Sequence, residues 1–431
     1  MGRAHIMSLA SSASPDADRA LAEALFDALR RATGDGVGIT RDSYGVGETM
    51  ALDLLETTAR RYELPAWRDA AANLVVELPG REPTLPAIAC GSHLDSIPQG
   101  GNYDGAAGVV AGLLALVRMS ADGVRPRRTV RLYGLRGEES AAFGRAYIGS
   151  SALLGQLSSS DLATPHMVTG RPLGACMAAA GADVDRIARG ERLLDTATIA
   201  AWLELHIEQG PVLVARKMPV AIVTGIRGNV RHRVIECTGE AGHSGAVPRW
   251  LRHDAVLAVA QLLTRLDEHW QTLLGQGCDL VVTSGVLGTD PAEHAISRIP
   301  GKMRFSLEAR SQSRETLAAF HDLLEDECRR IEEERGVRFA LDRRLDTEPA
   351  VMDADWIARL RRIVHRLGLP DEPMASGAGH DAAVFANAGV PSAMIFVRNQ
   401  HGSHNPREAM DMADFLLGAE ILRLALIEGA A

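Results

Sequence analysis

Hydrophobic residues along the chain change their period several times, and the changes mark its elements. Leu21, Leu25 and Leu29 recur at i, i+4 spacing, which predicts an amphipathic helix over residues 16–33. A second helix is expected over residues 48–62, stopped ahead of Pro65, because the residue before a proline is pushed out of helical geometry. Beyond it, short apolar runs alternate with helical stretches. Residues 87–90, 129–135, 199–205 and 391–397 read as strands. Residues 105–118 are apolar nearly all round, so they should form a buried helix, and 410–427 a closing one. Apolar strands alternating with helices predict an α/β architecture: a mixed, largely parallel sheet sandwiched by helices.

The middle of the chain has another rhythm. Residues 231–237 read as strand, 254–270 as helix, 279–287 and 303–310 as strands, 314–335 as helix and 337–341 as strand. This βαββαβ order is that of a small α+β domain with helices on one face. It implies an insertion, 225–346, between two parts of a larger domain, 1–224 and 347–431. The stretch 154–198, rich in Ala, Gly and Ser, has mixed signals and receives no assignment.

A chain of 431 residues exceeds one ordinary core, which agrees with two domains. The net charge of −9 and the lack of a dense Lys/Arg stripe argue against nucleic acid as a partner. The longest apolar run, 106–117, is too short for a bilayer, which needs about 20 residues. The N-terminal stretch 1–15 has no charged start followed by an apolar block, so no signal peptide is expected. Five dispersed cysteines without CxxC spacing suggest reduced thiols and a cytoplasmic home.

Polar residues interrupt the pattern at particular places. His93, the pair Glu138-Glu139 and His206 each stand at or just past the C-terminal end of a predicted strand, and Asp104 opens the helix after the first. In open α/β sheets that rim is where ligands bind. Any one of these residues alone reads as a solvated acid or a hydrogen-bonded core histidine. Their convergence on one rim, with glycine-rich flanks, points to metal binding. Imidazole and carboxylate without thiolate suit Zn²⁺, Mn²⁺ or Co²⁺. A carboxylate can bridge two ions about 3.5–4 Å apart, and Asp104 is the candidate bridge. Asp95 is placed to accept a hydrogen bond from the second nitrogen of His93, or to serve as a turn residue ahead of Pro98. No GxGxxG after a strand and no Walker loop is present, so nucleotide chemistry is not indicated.

Five segments carry a family resemblance: Gly91 to Gly105, Glu138-Glu-Ser-Ala-Ala-Phe-Gly144, Glu204 to Gly210, Gly239-Glu-Ala-Gly-His-Ser-Gly245, and Ser376-Gly-Ala-Gly-His-Asp-Ala382 with Ser403-His404. In this order, and over nearly the whole chain from about residue 40, the sequence resembles the two-metal amidohydrolases and peptidases related to aminoacylase and carboxypeptidase G. Within them it looks most like the branch of N-carbamoyl-L-amino-acid hydrolase, β-ureidopropionase and allantoate amidohydrolase. The resemblance implies two divalent metal ions (Zn, Mn or Co). His93, Asp104 and His206 would hold one; Asp104, Glu139 and His404 would hold the other. It makes Glu138 the general base. It makes the inserted domain a lid that pairs two subunits into a homodimer and lends His243 to the neighbouring site as an oxyanion donor; by itself His243 reads as a turn histidine. Arg310 would grip the carboxylate of a small-molecule substrate, Gly377 and Gly379 would let backbone approach it, and Asn229 would contact it.

Departures from the family pattern bear on specificity. Ser297 stands where the family usually has Asn, Ala246-Val-Pro-Arg-Trp250 replaces the usual Thr-Thr-Pro-Met after the lid histidine, and Ser140 replaces the commoner Gly after the acidic pair. The expected reaction is hydrolysis of a C–N amide bond in a small carboxylate-bearing molecule, first an N-carbamoyl-L-amino acid. Allantoate or another ureido acid, and an N-acyl amino acid or dipeptide, are the alternatives. A catalytically silent receptor on the same fold is opposed by the presence of Glu138.

Overall fold

The computed structural model describes residues 15–431, so the N-terminal reading falls, up to Ser14, outside the described residues. The chain divides into two compact units, one ending at Thr224 and resuming with Val351–Ala431, the other Gly225–Ala350.

The first unit is built on a mixed sheet. Its strands lie in the order Ala66–Arg68, Leu74–Leu78, Val130–Leu135, Ala87–His93, Ile199–Ile207, Ser392–Val397 and Val220–Ile226. The central neighbours run parallel and the flanking pairs antiparallel. Ala87–His93 and Ser392–Val397 are buried along their whole length, as strands covered on both faces must be. The apolar helix Ala106–Ala121 packs on the central strands, and Met412–Gly429 packs beside it. Pro15–Thr33 covers that layer with Leu21, Leu25 and Leu29 facing inward.

Tertiary pairing lengthens the expected strands. The strand expected at 87–90 continues to His93, because Ser92 and His93 pair in register with Gly134 and Leu135. The one expected at 199–205 continues to Ile207, which places His206 inside the strand. Strands Leu74–Leu78 and Val220–Ile226 and the helix Ala354–Arg366 are additions to the sequence reading. The unassigned 154–198 stretch folds as short helices, Ser159–Leu162, Leu173–Ala179 and Val184–Ala188. The first has a capping box between Ser158 and Asp161.

The second unit has antiparallel strands in the order Leu287–Gly288, Lys302–Ser311, Gly228–Thr238 and Arg338–Leu341. Helices Ala255–Gly275 and Arg314–Arg335 bury Val259, Leu262, Leu324 and Ile331 against Ile235, Cys237, Phe305 and Phe339. The single strand expected over 279–287 is two pieces, Val281–Thr283 and Leu287–Gly288. Between them the Val286 amide leaves the ladder and donates to Ser306 Oγ.

Candidate metal centre

Strand alternation decides which side chains reach the rim. Ala201, Leu203, Leu205 and Ile207 point into the core, so Trp202, Glu204 and His206 point to the opposite face. His93 ends the neighbouring strand, and its ring stacks on His206 with centroids 5.6 Å apart. Asp104 arrives from the turn ahead of the helix Ala106–Ala121. Between them Gly105 has φ of +63°, and a Cβ there would stand 2.5 Å from Cε1 and Nε2 of His93. The turn can close onto the imidazole because this residue has no side chain.

Asp104 is the hub. Its Oδ1 lies 3.6 Å from His93 Nε2 and 3.3 Å from His206 Nε2. Its Oδ2 lies 3.4 Å from His404 Nε2, which is 3.2 Å from Glu139 Oε1. Two candidate ligand groups therefore share this one carboxylate: His93, Asp104 and His206, and Asp104, Glu139 and His404. Oδ1 is buried and receives no hydrogen bond. A buried carboxylate oxygen without a donor is costly, and a cation removes that cost. The nitrogen and oxygen donors, without thiolate, fit divalent cations of intermediate hardness. Glu138 stands beside the cluster with Oε2 4.0 Å from His93 Nε2 and is almost wholly buried.

Supporting contacts orient these groups. His93 Nδ1 lies 3.1 Å from the backbone carbonyl of Asp95 and 3.2 Å from its carboxylate. The same carboxylate accepts the Glu138 and Glu139 amides, each at 3.0 Å, and the Ser43 hydroxyl at 2.6 Å. One buried acid thus ties the first ligand strand to the acidic loop. Sequence reasoning overlooked several participants. Gln209 donates Nε2 to Asp104 Oδ2 at 2.7 Å from a left-handed backbone position, φ +63°. Ser403 Oγ lies 2.5 Å from Asp104 Oδ2 and 2.6 Å from Glu408 Oε2. The buried His380 packs its ring 4.4 Å from that of His206 and holds Ser376 Oγ at 2.9 Å. Gln209, His380 and Ser403 stand inside motifs already singled out; Glu408 lies four residues past His404.

The electrostatics follow from burial and crowding. Burial alone would raise the Asp104 carboxyl, but the imidazoles of His206, His404 and His93 beside it reverse this and hold it well below its usual value. Burial works against charge on His93, yet Asp104 and Asp95 raise it well above an ordinary imidazole. His404 is pushed up to about 10 by Asp104 and Glu139. Burial raises Glu138 well above an ordinary carboxyl, against the pull of His93 and with the push of Glu139. Burial, then the neighbouring His206, lowers His380 far below its usual value and keeps it neutral. A field that draws protons onto imidazoles also draws a divalent cation, which must displace them.

The remaining residues singled out from sequence make their own local contacts. Asn229 and Arg310 are direct cross-strand partners in the second unit, and Arg310 Nε is 3.1 Å from Glu308 Oε2. His243 is exposed, accepts the Gly245 amide at 3.1 Å and pairs through its backbone with Arg298. Ser297 accepts the Ser244 amide at 2.8 Å through its carbonyl. Trp250 is 80% exposed. In the first unit, Gly379 packs so closely that a Cβ would meet the Tyr147 hydroxyl at 1.7 Å, so a side chain there would have to displace the tyrosine. Gly377 stands two residues before it in the same turn.

A carboxylate shared between two sets of nitrogen and oxygen donors, with a second buried acid alongside, has the parts of a metal-dependent hydrolase. The chain belongs to the peptidase family M20/M25/M40, which it matches over residues 89–428. That family is metal-dependent. The chain is 34% identical to the N-carbamoyl-L-amino acid amidohydrolase of Geobacillus stearothermophilus, over 89% of its own length and 92% of that protein's. It is 32% identical to the allantoate amidohydrolase of Escherichia coli (strain K12), over 84% and 85% of the two chains. The crystal structure of a hydantoinase/carbamoylase family amidase from Burkholderia ambifaria matches it with a TM-score of 0.85 at 29% identity, covering 96% of each chain. The mixed α/β architecture expected from the sequence is the fold of these amidases. Among the described residues, no helix is long and apolar enough to cross a membrane.

Proposed function

We propose that this chain hydrolyses a C–N amide bond in a small ureido or N-carbamoyl acid, first of all an N-carbamoyl-L-amino acid, yielding the amino acid, CO₂ and ammonia. The relatives' activities support the reaction class. The observation that carries the reading here is Asp104, set between two imidazole-containing groups with buried Glu138 beside them. Two divalent ions of the Zn, Mn or Co type fit the shared donors: His93, Asp104 and His206 for one, Asp104, Glu139 and His404 for the other. When bound, such ions supply Lewis acidity and acidify a water molecule.

Glu138 would take a proton from the attacking water and return it to the departing nitrogen. Its burial raises its proton affinity well above that of an ordinary carboxylate, which suits a group that must first accept a proton and then return it. Asp95 keeps the His93 ring in one orientation and fixes the amides of the acidic loop. His243 donates to the oxyanion that forms on the substrate carbonyl. Arg310 binds the substrate carboxylate through its guanidinium, with Asn229 beside it on the neighbouring strand and Ser297 as a further contact. Turn residues Gly377 and Gly379 present backbone to the substrate. The working assembly is a homodimer in the cytoplasm, where the five free thiols stay reduced.

The test is a panel of N-carbamoyl, N-acetyl, N-aroyl and ureido acids incubated with metal-loaded protein, with released amine and ammonia assayed. Chelator should abolish turnover and Mn²⁺, Co²⁺ or Zn²⁺ restore it. Glu138→Gln should bind metal and lose most turnover, by at least about 100-fold for a group that moves a proton. Undiminished turnover in metal-stripped protein, or in Glu138→Gln, refutes the mechanism.

A further inference from the structure

The amides of the loop that carries Glu138 are held by side chains outside the ligand groups. Four consecutive amides donate to buried side-chain oxygens. Arg136 donates to Asn73 Oδ1 at 3.0 Å, Gly137 to Glu48 Oε1 at 2.8 Å, and Glu138 and Glu139 to the two Asp95 oxygens at 3.0 Å each. The carbonyls on the other side accept from the start of the helix Ile148–Leu153. Arg136 O takes the Gly149 amide at 2.8 Å, Gly137 O the Ile148 amide at 2.7 Å and Glu138 O the Tyr147 amide at 3.0 Å.

Gly137 is the soft point of this loop. Its φ is +63°, a conformation glycine adopts freely and leaves just as freely. Rotation there would swing the Glu138 carboxylate away from the cluster. The side chain that holds the Gly137 amide is Glu48, wholly buried in the first turn of the helix Val46–Arg61. Its second oxygen accepts the Tyr44 amide at 2.8 Å and Arg136 Nη1 at 2.6 Å. Arg136 is itself buried, and donates Nε to Ala72 O at 3.0 Å and Nη2 to Thr49 Oγ1 at 2.8 Å; the Tyr44 ring lies 5.3 Å from its guanidinium carbon. The buried pair Glu48–Arg136 and its partners thus act on the residues immediately ahead of the acidic pair.

We infer that Glu48, locked by Arg136, is a positioning residue that sets the Glu138 carboxylate for proton transfer by fixing the peptide of Gly137. The inference rests on Glu138 as the base. It assigns Glu48 no contact with substrate or metal, and it separates two jobs. Asp95 serves ligand and base together, whereas Glu48 serves the base side of the loop.

Two variants test it. Glu48→Gln keeps the shape but has a single acceptor oxygen, so either the Gly137 amide or the Tyr44–Arg136 pair faces an NH₂ group. Glu48→Asp keeps the charge that Arg136 needs and draws it back from Gly137 by one methylene, so it carries the test should Glu48→Gln fail to fold. In folded, metal-loaded protein each should lower kcat roughly 10- to 100-fold, the scale of an ångström-sized misplacement of a reacting group. KM should stay within about twofold and metal content should be unchanged, because carboxylate recognition and the ligands are untouched. Wild-type kcat in either folded variant overturns the inference. So does a fall in kcat that merely tracks lost metal or lost folded fraction. Glu138→Gln is assayed alongside: an active Glu138→Gln sinks the functional reading itself, whereas an inactive one beside active Glu48 variants sinks only this inference.

Discussion

Replacing Gly105 with alanine separates the metal cluster from general stability, and its size can be worked from the coordinates. Two costs arise. The backbone sits at φ +63° and ψ −47°, outside the left-handed helical region, so a Cβ costs more than the roughly 1–2 kcal/mol it costs inside that region. The added carbon would also stand 2.5 Å from the His93 ring, where ordinary contact begins at 3.4 Å, so the imidazole must retreat by about 0.9 Å. The ring cannot retreat freely. Asp95 holds its Nδ1, and His206 stacks on its face. A displacement of that size should weaken metal binding about 10- to 100-fold and lower kcat by about 100-fold. Gly123→Ala is the control: its φ is +68°, but a Cβ there meets nothing within 4 Å, so it bears the backbone cost alone. The assays are metal content after dialysis, urea unfolding and turnover of an N-carbamoyl acid. Gly123→Ala should lose about 1–2 kcal/mol of stability and Gly105→Ala more, and only Gly105→Ala should lose metal and activity. If Gly105→Ala keeps wild-type metal content and kcat, His93 is not held where the reasoning requires.

Protons and metal should compete at the cluster. His404 in the metal-free protein is raised from 6.5 to about 10 by Asp104 and Glu139, so its proton stabilises the fold fully below 6.5, and that contribution is lost as pH rises through 10. A cation arriving there displaces that proton, so apparent metal affinity should climb by about tenfold per pH unit for each proton displaced, measured by competition with a chromophoric chelator; an affinity flat from pH 6 to 9 would contradict this. Thiol labelling should be selective. Burial pushes Cys90, Cys237 and Cys328 up to about 12, whereas Cys278 is partly exposed. Maleimide at pH 8 should reach Cys278 well before Cys90, Cys237 and Cys328 by mass spectrometry, because these three hold about a thousandth of an ordinary thiolate fraction; early labelling of Cys90 would mean that the central strand opens.

Much of the arrangement is legible in one dimension because it depends on local period and on residue type. The apolar runs ending in His93 and His206 announce parallel strands, the polar residues at their ends announce a rim, and an imidazole–carboxylate set without thiolate names the class of cation. The helix over 314–335 is bounded in the structure as its pattern predicts, with Ser313 capping its start. These are short-range signals, and no distant partner is needed to read them.

Other features exist only because remote segments meet. His93 becomes a strand residue through pairing with Leu135, although nothing in a Ser-His dipeptide favours extension. Gln209 reaches Asp104 across 105 positions of sequence, Ser403 across 299, and Glu48 reaches the Gly137 amide across 89. Polar side chains such as these have no period of their own. Their hydrogen bonds are worth making only where burial removes water and leaves a specific unpaired partner, and that partner is chosen by the fold. Composition and spacing told this protein what kind of site to build. Close packing of the sheet, the glycine turn at 105 and the buried acids behind the loop decided which atoms stand where.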